Sequence, residues 1–295
     1  MTTEGRDPSY RDLDVWSLGR IVDAVVDGSE NAIHAARNAR DALERAAAGV
    51  EARLAGGGRL VYAGAGTSGR IALQDAAELP PTFGFERTVV LMAGGGGAGA
   101  VAVENAEDDT DAAARDVAGA ALGPDDAVLG IAASGRTPYT VGVIRAARER
   151  GAFTVGIANN AGTPLLAAAE VGVLLDTGPE VLAGSTRLAA GTAQKIALNA
   201  LSTAVLVRAG GAYRNLMVGM RPTNAKLRRR AVEVVSAASG APPEEAERSL
   251  AAAGWGIREA IVMLGAEVGP EVARALLAGH GNRVRDALAS RREDT

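Results

Sequence analysis

The feature that most limits what this chain can become is a series of five short apolar runs with little polar alternation. They are Arg59–Ala63, Thr88–Met92, Ala127–Ala132, Phe153–Ala158 and Val171–Leu175. A strand with one wet face alternates between apolar and polar residues. One that stays apolar along its length is covered on both faces, which is the habit of parallel sheets. Segments with helical spacing lie between or beside these runs, near Arg70–Ala77, Asp111–Ala121, Tyr139–Arg150 and Pro164–Ala169. A βαβ succession of this kind predicts an α/β fold, a doubly wound parallel sheet of about five strands flanked by helices. Ligands of such sheets sit beyond the carboxyl ends of the strands, so the loops there are the first places to look for function.

Three regions follow from the pattern. Residues 1–55 form an N-terminal helical segment, with Val15 to Leu54 reading as one or two helices. Residues 56–225 form the sheet domain, and 226–295 a small all-helical subdomain. Between Ser185 and Arg208 the chain is apolar nearly all round, which implies burial against the sheet domain or a second subunit. The last region repeats itself at a 27-residue offset: Pro243 with Pro270, Ala246 with Ala273, Leu250 with Leu277, Gly254 with Gly281, Arg258 with Arg285 and Ala260 with Ala287. Each copy reads as a helix–turn–helix unit, and two copies are too few for a solenoid. The charged end, Ser290 to Thr295, is expected to fray.

Composition removes several classes of function. With 47% hydrophobic but only 3% aromatic residues, the core must rest on Ala, Val, Leu and Ile. A net charge of −4 offers no basic field for nucleic acid. Cysteine is absent and the histidines are His34 and His280 alone, so neither thiolate chemistry nor a His-rich metal site is expected, and no cofactor is implied. The start, Met1 to Asp14, is polar and unlike a secretory signal. The long apolar stretch from Leu188 to Val207 is interrupted by Gln194, Lys195 and Asn199 and does not read as a membrane span. The expectation is a soluble, cytoplasmic protein acting on a small molecule.

The sharpest local signal is Gly64-Ala-Gly66-Thr67-Ser68-Gly69-Arg70, directly after the first apolar run and opening a helix. Glycines permit the tight turn, and free N–H groups at a helix N-terminus attract anions. The pattern also fits a dinucleotide fingerprint, which wants an acidic residue at the end of the second strand. That strand instead runs into Ala93-Gly94-Gly95-Gly96-Gly97, without a carboxylate. Thr67 and Ser68 place two hydroxyls where a monophosphate would lie, and a turn with no ligand is the remaining reading. Ala133-Ser134-Gly135-Arg136-Thr137 follows the third run and precedes Pro138, a favoured first-turn residue. Ser134 and Thr137 suit helix capping as well as ligand binding, and the two uses are compatible. Gly184-Ser185-Thr186-Arg187 repeats the theme before the long apolar helix.

Carboxylates supply the candidates for acid–base work. Glu78 precedes Pro80-Pro81, which are expected to stop its helix, and it follows the first loop closely enough to approach the same pocket. Glu104, Glu107, Asp108 and Asp109 cluster after the glycine run. Spacing alone does not choose among these groups, most of which would be solvated surface charges in an average chain.

Several blocks together resemble the N-acetylmuramic acid 6-phosphate etherase family. They are Gly64–Arg70, Asp75-Ala-Ala-Glu78-Leu-Pro-Pro-Thr-Phe83, Glu104-Asn-Ala-Glu107-Asp-Asp109 and Ala132-Ala-Ser-Gly-Arg-Thr-Pro-Tyr139. The similarity continues in Gly178-Pro-Glu180-Val, Gly184-Ser-Thr-Arg-Leu188, Gly191-Thr-Ala-Gln-Lys195 and Asn215-Leu-Met217. The resemblance implies a sugar isomerase (SIS) sheet domain with a helical C-terminal part. It implies cleavage of the lactyl ether of N-acetylmuramic acid 6-phosphate to N-acetylglucosamine 6-phosphate and D-lactate, in cell-wall sugar recycling. The family's two acid–base glutamates fall on Glu78 and Glu107, without fixing which acts on C2 and which on the leaving oxygen. Thr67, Ser68, Ser134 and Thr137 match positions in the loops the resemblance assigns to the sugar phosphate, and Gly66, Gly135, Ser185 and Thr186 are further candidates for binding it. Arg136 and Glu180 are further ligand candidates, and Lys195 either approaches the phosphate or extends its head to solvent. The resemblance also implies a homodimer with sites near the subunit interface. Where members carry longer side chains between Phe83 and Glu104, this chain is shorter and glycine-rich. Two other readings share the domain type: a non-catalytic sugar-phosphate sensor resembling the glucokinase regulatory protein, and an aldose–ketose isomerase.

Overall fold

The computed structural model describes residues 3–99, 103 and 105–293. The N-terminal region holds three helices, α1 (Leu18–Gly28), α2 (Glu30–Asn38) and α3 (Arg40–Ala55). Then come β1 (Leu60–Gly64), α4 (Gly66–Phe83), β2 (Thr88–Met92), α5 (Thr110–Gly119), β3 (Ala127–Ile131), α6 (Pro138–Glu149), β4 (Phe153–Ala158), α7 (Pro164–Ala168), β5 (Val171–Leu174) and α8 (Ala189–Leu206). All five strands are parallel, in the order β2-β1-β3-β4-β5. The apolar runs are therefore the strands, and β1, β3 and β4 are buried at every residue. Strand order reverses between β1 and β3. That switch point opens a crevice at the carboxyl edge of the sheet, where loops from both strands can face one ligand.

Helix starts follow local chemistry. Asp109 caps α5 by accepting the Ala112 N–H at 2.8 Å, so this member of the acidic cluster is engaged in holding a helix. Pro138 and Pro164 occupy the first turns of α6 and α7, where a missing N–H costs nothing. Side chains on both faces of the sheet close the core; on one face Val61, Val128, Tyr139, Ile144 and Leu165 cluster with a shell of alanines. Arg59 clamps the connection into β3, meeting Asp126 with Nε–Oδ1 at 2.9 Å and Nη2–Oδ2 at 2.7 Å. Burial pushes the Asp126 carboxyl up, but the Arg59 fork and the Gly123 N–H outweigh it and hold the group below the usual carboxylate range.

Two expectations about helices need correction. Pro80 and Pro81 do not stop α4, which runs on to Phe83. The backbone bonds lost at two prolines are offset within one compact unit: Leu79 is buried, and the Phe83 ring sits so close to Gly211 that any side chain there would collide with it. The apolar helix expected from Ser185 begins at Ala189, because residues 184–188 form a turn whose Thr186 carbonyl accepts the Gly191 N–H.

The described chain divides into two compact units, residues 3–76 with 87–203, and 77–86 with 204–293. The second starts earlier than residue 226 and takes in the end of α4. It adds a small hairpin of β6 (Ala212–Tyr213) and β7 (Leu216–Met217), then α9 (Ala225–Ser239), α10 (Pro243–Ala252), α11 (Ile257–Ala266), α12 (Pro270–Gly279) and α13 (Val284–Glu293). The 27-residue repeat is visible as α10–α11 and α12–α13. Ala246 and Ala273, Leu250 and Leu277, and Ala260 and Ala287 are buried at equivalent places in its core. Among the described residues no helix is long and apolar enough to cross a membrane.

Candidate active site

The β1–α4 and β3–α6 loops flank the switch point and line a cleft of about 440 Å³. Gly66, Thr67 and Ser68 come from the first loop, and Ser134, Arg136 and Thr137 from the second. Glu107, Asp108 and Thr186 complete much of the wall. Close packing shapes both loops. A Cβ on Gly64 would lie 3.0 Å from the Gly69 backbone, so only glycine lets β1 and α4 meet this tightly. Gly135 has φ +65°, and a Cβ there would lie 2.3 Å from the Thr163 hydroxyl. Gly135 thus turns the chain that presents Ser134 and Thr137 without lining the cleft itself.

Capping and cleft roles separate at the second loop. The Ser134 hydroxyl accepts the Arg136 N–H at 3.1 Å, a local turn bond. Thr137 precedes α6 but makes no side-chain cap bond. On the first loop Arg70, half-buried on the opening turn of α4, donates to the Thr67 hydroxyl at 3.4 Å.

Not every expected residue gathers here. Glu107 does, exposed on a short 3-10 turn (Ala106–Asp108). Glu78 is exposed on α4 and belongs to the second compact unit, while the cleft is built by the first. Glu104 lies outside the described residues. Glu180 does not line the cleft and serves as a helix cap: it is buried, and its two oxygens accept the Ala189 and Ala190 N–H groups, each at 2.9 Å, at the start of α8. Ser185 is half-buried beside the cleft-lining Thr186 but does not itself line the cleft. Lys195 is exposed on α8, outside the cleft wall, where its charge acts on Asp75. Burial raises the Asp75 carboxyl above its ordinary range, opposed by hydrogen bonds from Tyr62 at 2.7 Å and Ser202 at 3.3 Å and by the Lys195 charge.

Sequence reasoning missed Glu4. The Thr3 N–H donates to Asn160 Oδ1 at 2.9 Å, while Asn160 Nδ2 donates to the Thr3 hydroxyl at 2.8 Å and the Ala133 carbonyl at 3.0 Å. This buried clasp lays the N-terminal segment beside the Ser134 loop and brings Glu4 into the cleft wall. Nothing local in the sequence ties it to residue 160.

A five-stranded parallel sheet with hydroxyl-bearing loops at its switch point defines a SIS-domain protein, and a family model of the glucokinase regulatory protein N-terminal SIS domain matches residues 41–148. The same fold is seen in a Bacteroides fragilis protein assigned as a phosphosugar isomerase involved in capsule formation (TM-score 0.51, 20% identity, 66% of this chain and 94% of that one). A protein of Escherichia coli CFT073, solved in complex with a sugar phosphate, has TM-score 0.50 at 17% identity, over 68% of this chain and 97% of its own. Curated relatives match over nearly their whole length. The N-acetylmuramic acid 6-phosphate etherase of Deinococcus radiodurans is 49% identical over 97% of this chain and 94% of its own. That of Rubrobacter xylanophilus is 48% identical over 99% and 97%, and that of Streptomyces avermitilis 47% over 98% and 94%. The chain belongs to the N-acetylmuramic acid 6-phosphate etherase family.

Proposed function

We propose that this protein is a cytoplasmic etherase that cleaves the D-lactyl ether of N-acetylmuramic acid 6-phosphate. The observation that carries the reading is the cleft in which Glu107 shares a wall with Thr67, Ser68, Ser134 and Thr137, in a chain that matches etherases over nearly its whole length. The match to the regulatory-protein model stops at residue 148, so the etherase similarity explains more of the chain than a sensor does.

The chemistry starts from an obstacle. An alkyl ether resists mild hydrolysis because an alkoxide is a poor leaving group. Opening the sugar ring exposes an aldehyde at C1, which acidifies the proton on C2. One carboxylate removes that proton, and a carboxylic acid protonates the lactyl oxygen as the C3–O bond breaks. Water then adds to the C2–C3 double bond with the roles reversed, so that one water is consumed for each lactate released. Hydroxyls and N–H groups of the two loops hold the phosphate and keep C2 and C3 in register with Glu107, a positioning effect.

The second carboxylate is Glu78, and we assign it to the site through a homodimer in which each copy completes the other's cleft. One observation supports this. Helix α1 buries none of its residues and carries an apolar stripe, Leu18, Val22 and Val26, that is 83%, 59% and 62% exposed. The test mixes two dead variants. Glu78→Gln and Glu107→Gln alone are expected to lose nearly all turnover while staying folded. After subunit exchange about half the dimers hold one intact site, restoring roughly a quarter of wild-type activity. Near-normal turnover by either variant alone would end the assignment of that glutamate, and no recovery on mixing would end the shared site.

A further inference from the structure

A second, smaller cleft of about 220 Å³ shares Ala65, Gly66 and Glu107 with the first. The larger cleft is rich in hydroxyls and carries Arg136. The smaller one is walled by alanines, including Ala93, Ala98 and Ala106, and its polar groups include Arg70 and Asn105. Building on the etherase reading, we infer that Arg70 receives the carboxylate of the lactyl arm, with the alanine wall taking its methyl group.

The argument is one of matching shapes and charges about a fixed point. The substrate class carries two anions, a phosphate and a carboxylate, with the breaking C3–O bond between them. If Glu107 works at that bond, the two anionic arms must leave it in different directions, and the two clefts that meet at Glu107 supply those directions. A tetrahedral phosphate suits converging hydroxyls and loop N–H groups. A small planar carboxylate with a methyl beside it suits a guanidinium fork in an apolar niche.

Local geometry explains why Arg70 reaches the niche. Helical side chains lean toward the N-terminus, and Arg70 stands one turn after Gly66, where α4 begins. Its bond to the Thr67 hydroxyl is long, at 3.4 Å. Among the described residues no carboxylate forms an ion pair with Arg70, so most of its donors remain available. The glycine-rich segment supports the same use. Gly96–Gly99 forms a 3-10 turn that buries Ala98 against this cleft, where a larger side chain would fill it.

The test measures binding without turnover. Full-length protein carrying Glu107→Gln, alone and with Arg70→Gln, is titrated calorimetrically with N-acetylmuramic acid 6-phosphate and with N-acetylglucosamine 6-phosphate. The second ligand keeps the phosphate but lacks the lactyl arm. Losing a charge-assisted bidentate contact is expected to weaken the ether about 10- to 100-fold while changing N-acetylglucosamine 6-phosphate less than about twofold. Arg70→Lys, which keeps charge without the fork and guards against a folding artefact, is expected to fall between. An equal loss for both ligands, or none for the ether, overturns the inference. Lactate release by the unaltered protein is judged separately. Selective loss of ether binding in a protein that releases no lactate would refute the etherase reading and still support Arg70.

Discussion

Replacing Glu180 separates a helix cap from a ligand contact with one side chain. Both of its oxygens are committed, at 2.9 Å each, to the N–H groups of Ala189 and Ala190, which are themselves buried. Glu180→Ala leaves two buried donors without partners, at about 1–3 kcal/mol each. It also removes a negative charge from the positive end of α8, about 0.3–1 kcal/mol. The sum is about 2–7 kcal/mol, a large part of the stability of an average domain. Glu180→Gln keeps one acceptor but turns an NH2 toward the other N–H, and is expected to cost about half as much. Chemical denaturation reads the total, and hydrogen exchange at the Ala189 and Ala190 amides reads the local part. Fast exchange confined to the start of α8, with sugar-phosphate affinity in the folded fraction nearly unchanged, is the expected outcome. A tenfold weaker substrate affinity with both amides still protected would refute the capping argument and return Glu180 to the binding site.

Other consequences are equally open to measurement. Gly135→Ala combines φ +65° with a Cβ 2.3 Å from the Thr163 hydroxyl, and is expected to destabilise by about 2–4 kcal/mol and to misplace Ser134 and Thr137; a variant with wild-type melting temperature and KM would contradict it. Asp126 is held below its unfolded value, so the stability it contributes is complete above about pH 4 and is lost as pH falls through the lower, folded value. Since Arg59 is about one-third exposed, that contribution is modest, about 1–2 kcal/mol. Asp126→Asn is expected to flatten the acid limb of a stability-versus-pH curve, and an unchanged slope below pH 4 would show that the pair is not linked to folding.

How far the sequence could be read depends on how local each cause is. The five strands were legible because burial on both faces leaves an apolar signature inside each run. The C-terminal pairs such as Leu250 and Leu277 were legible because a repeat encodes the same burial twice. The length of α4 was not, since the proline rule is local while the seat of Phe83 against Gly211 comes from far along the chain. Glu180 and Thr186 stand in neighbouring blocks and looked alike as ligand candidates. Only the fold shows that one faces the start of α8 and the other the cleft. Glu4 enters through a clasp between Thr3 and Asn160, which no spacing rule could anticipate. Arg70 was plain within the glycine motif, but its use depends on a cleft built partly from the segment after β2.

The central claim is C3–O cleavage of a lactyl ether, and one experiment addresses it directly. Purified protein is incubated with N-acetylmuramic acid 6-phosphate in water enriched in oxygen-18, and both products are quantified and weighed by mass spectrometry. The account predicts equimolar D-lactate and N-acetylglucosamine 6-phosphate, with the label in the sugar and none in the lactate. Label in the lactate would place the break on the other side of the oxygen, and tight binding of the sugar phosphate with no lactate released would make the protein a sensor instead.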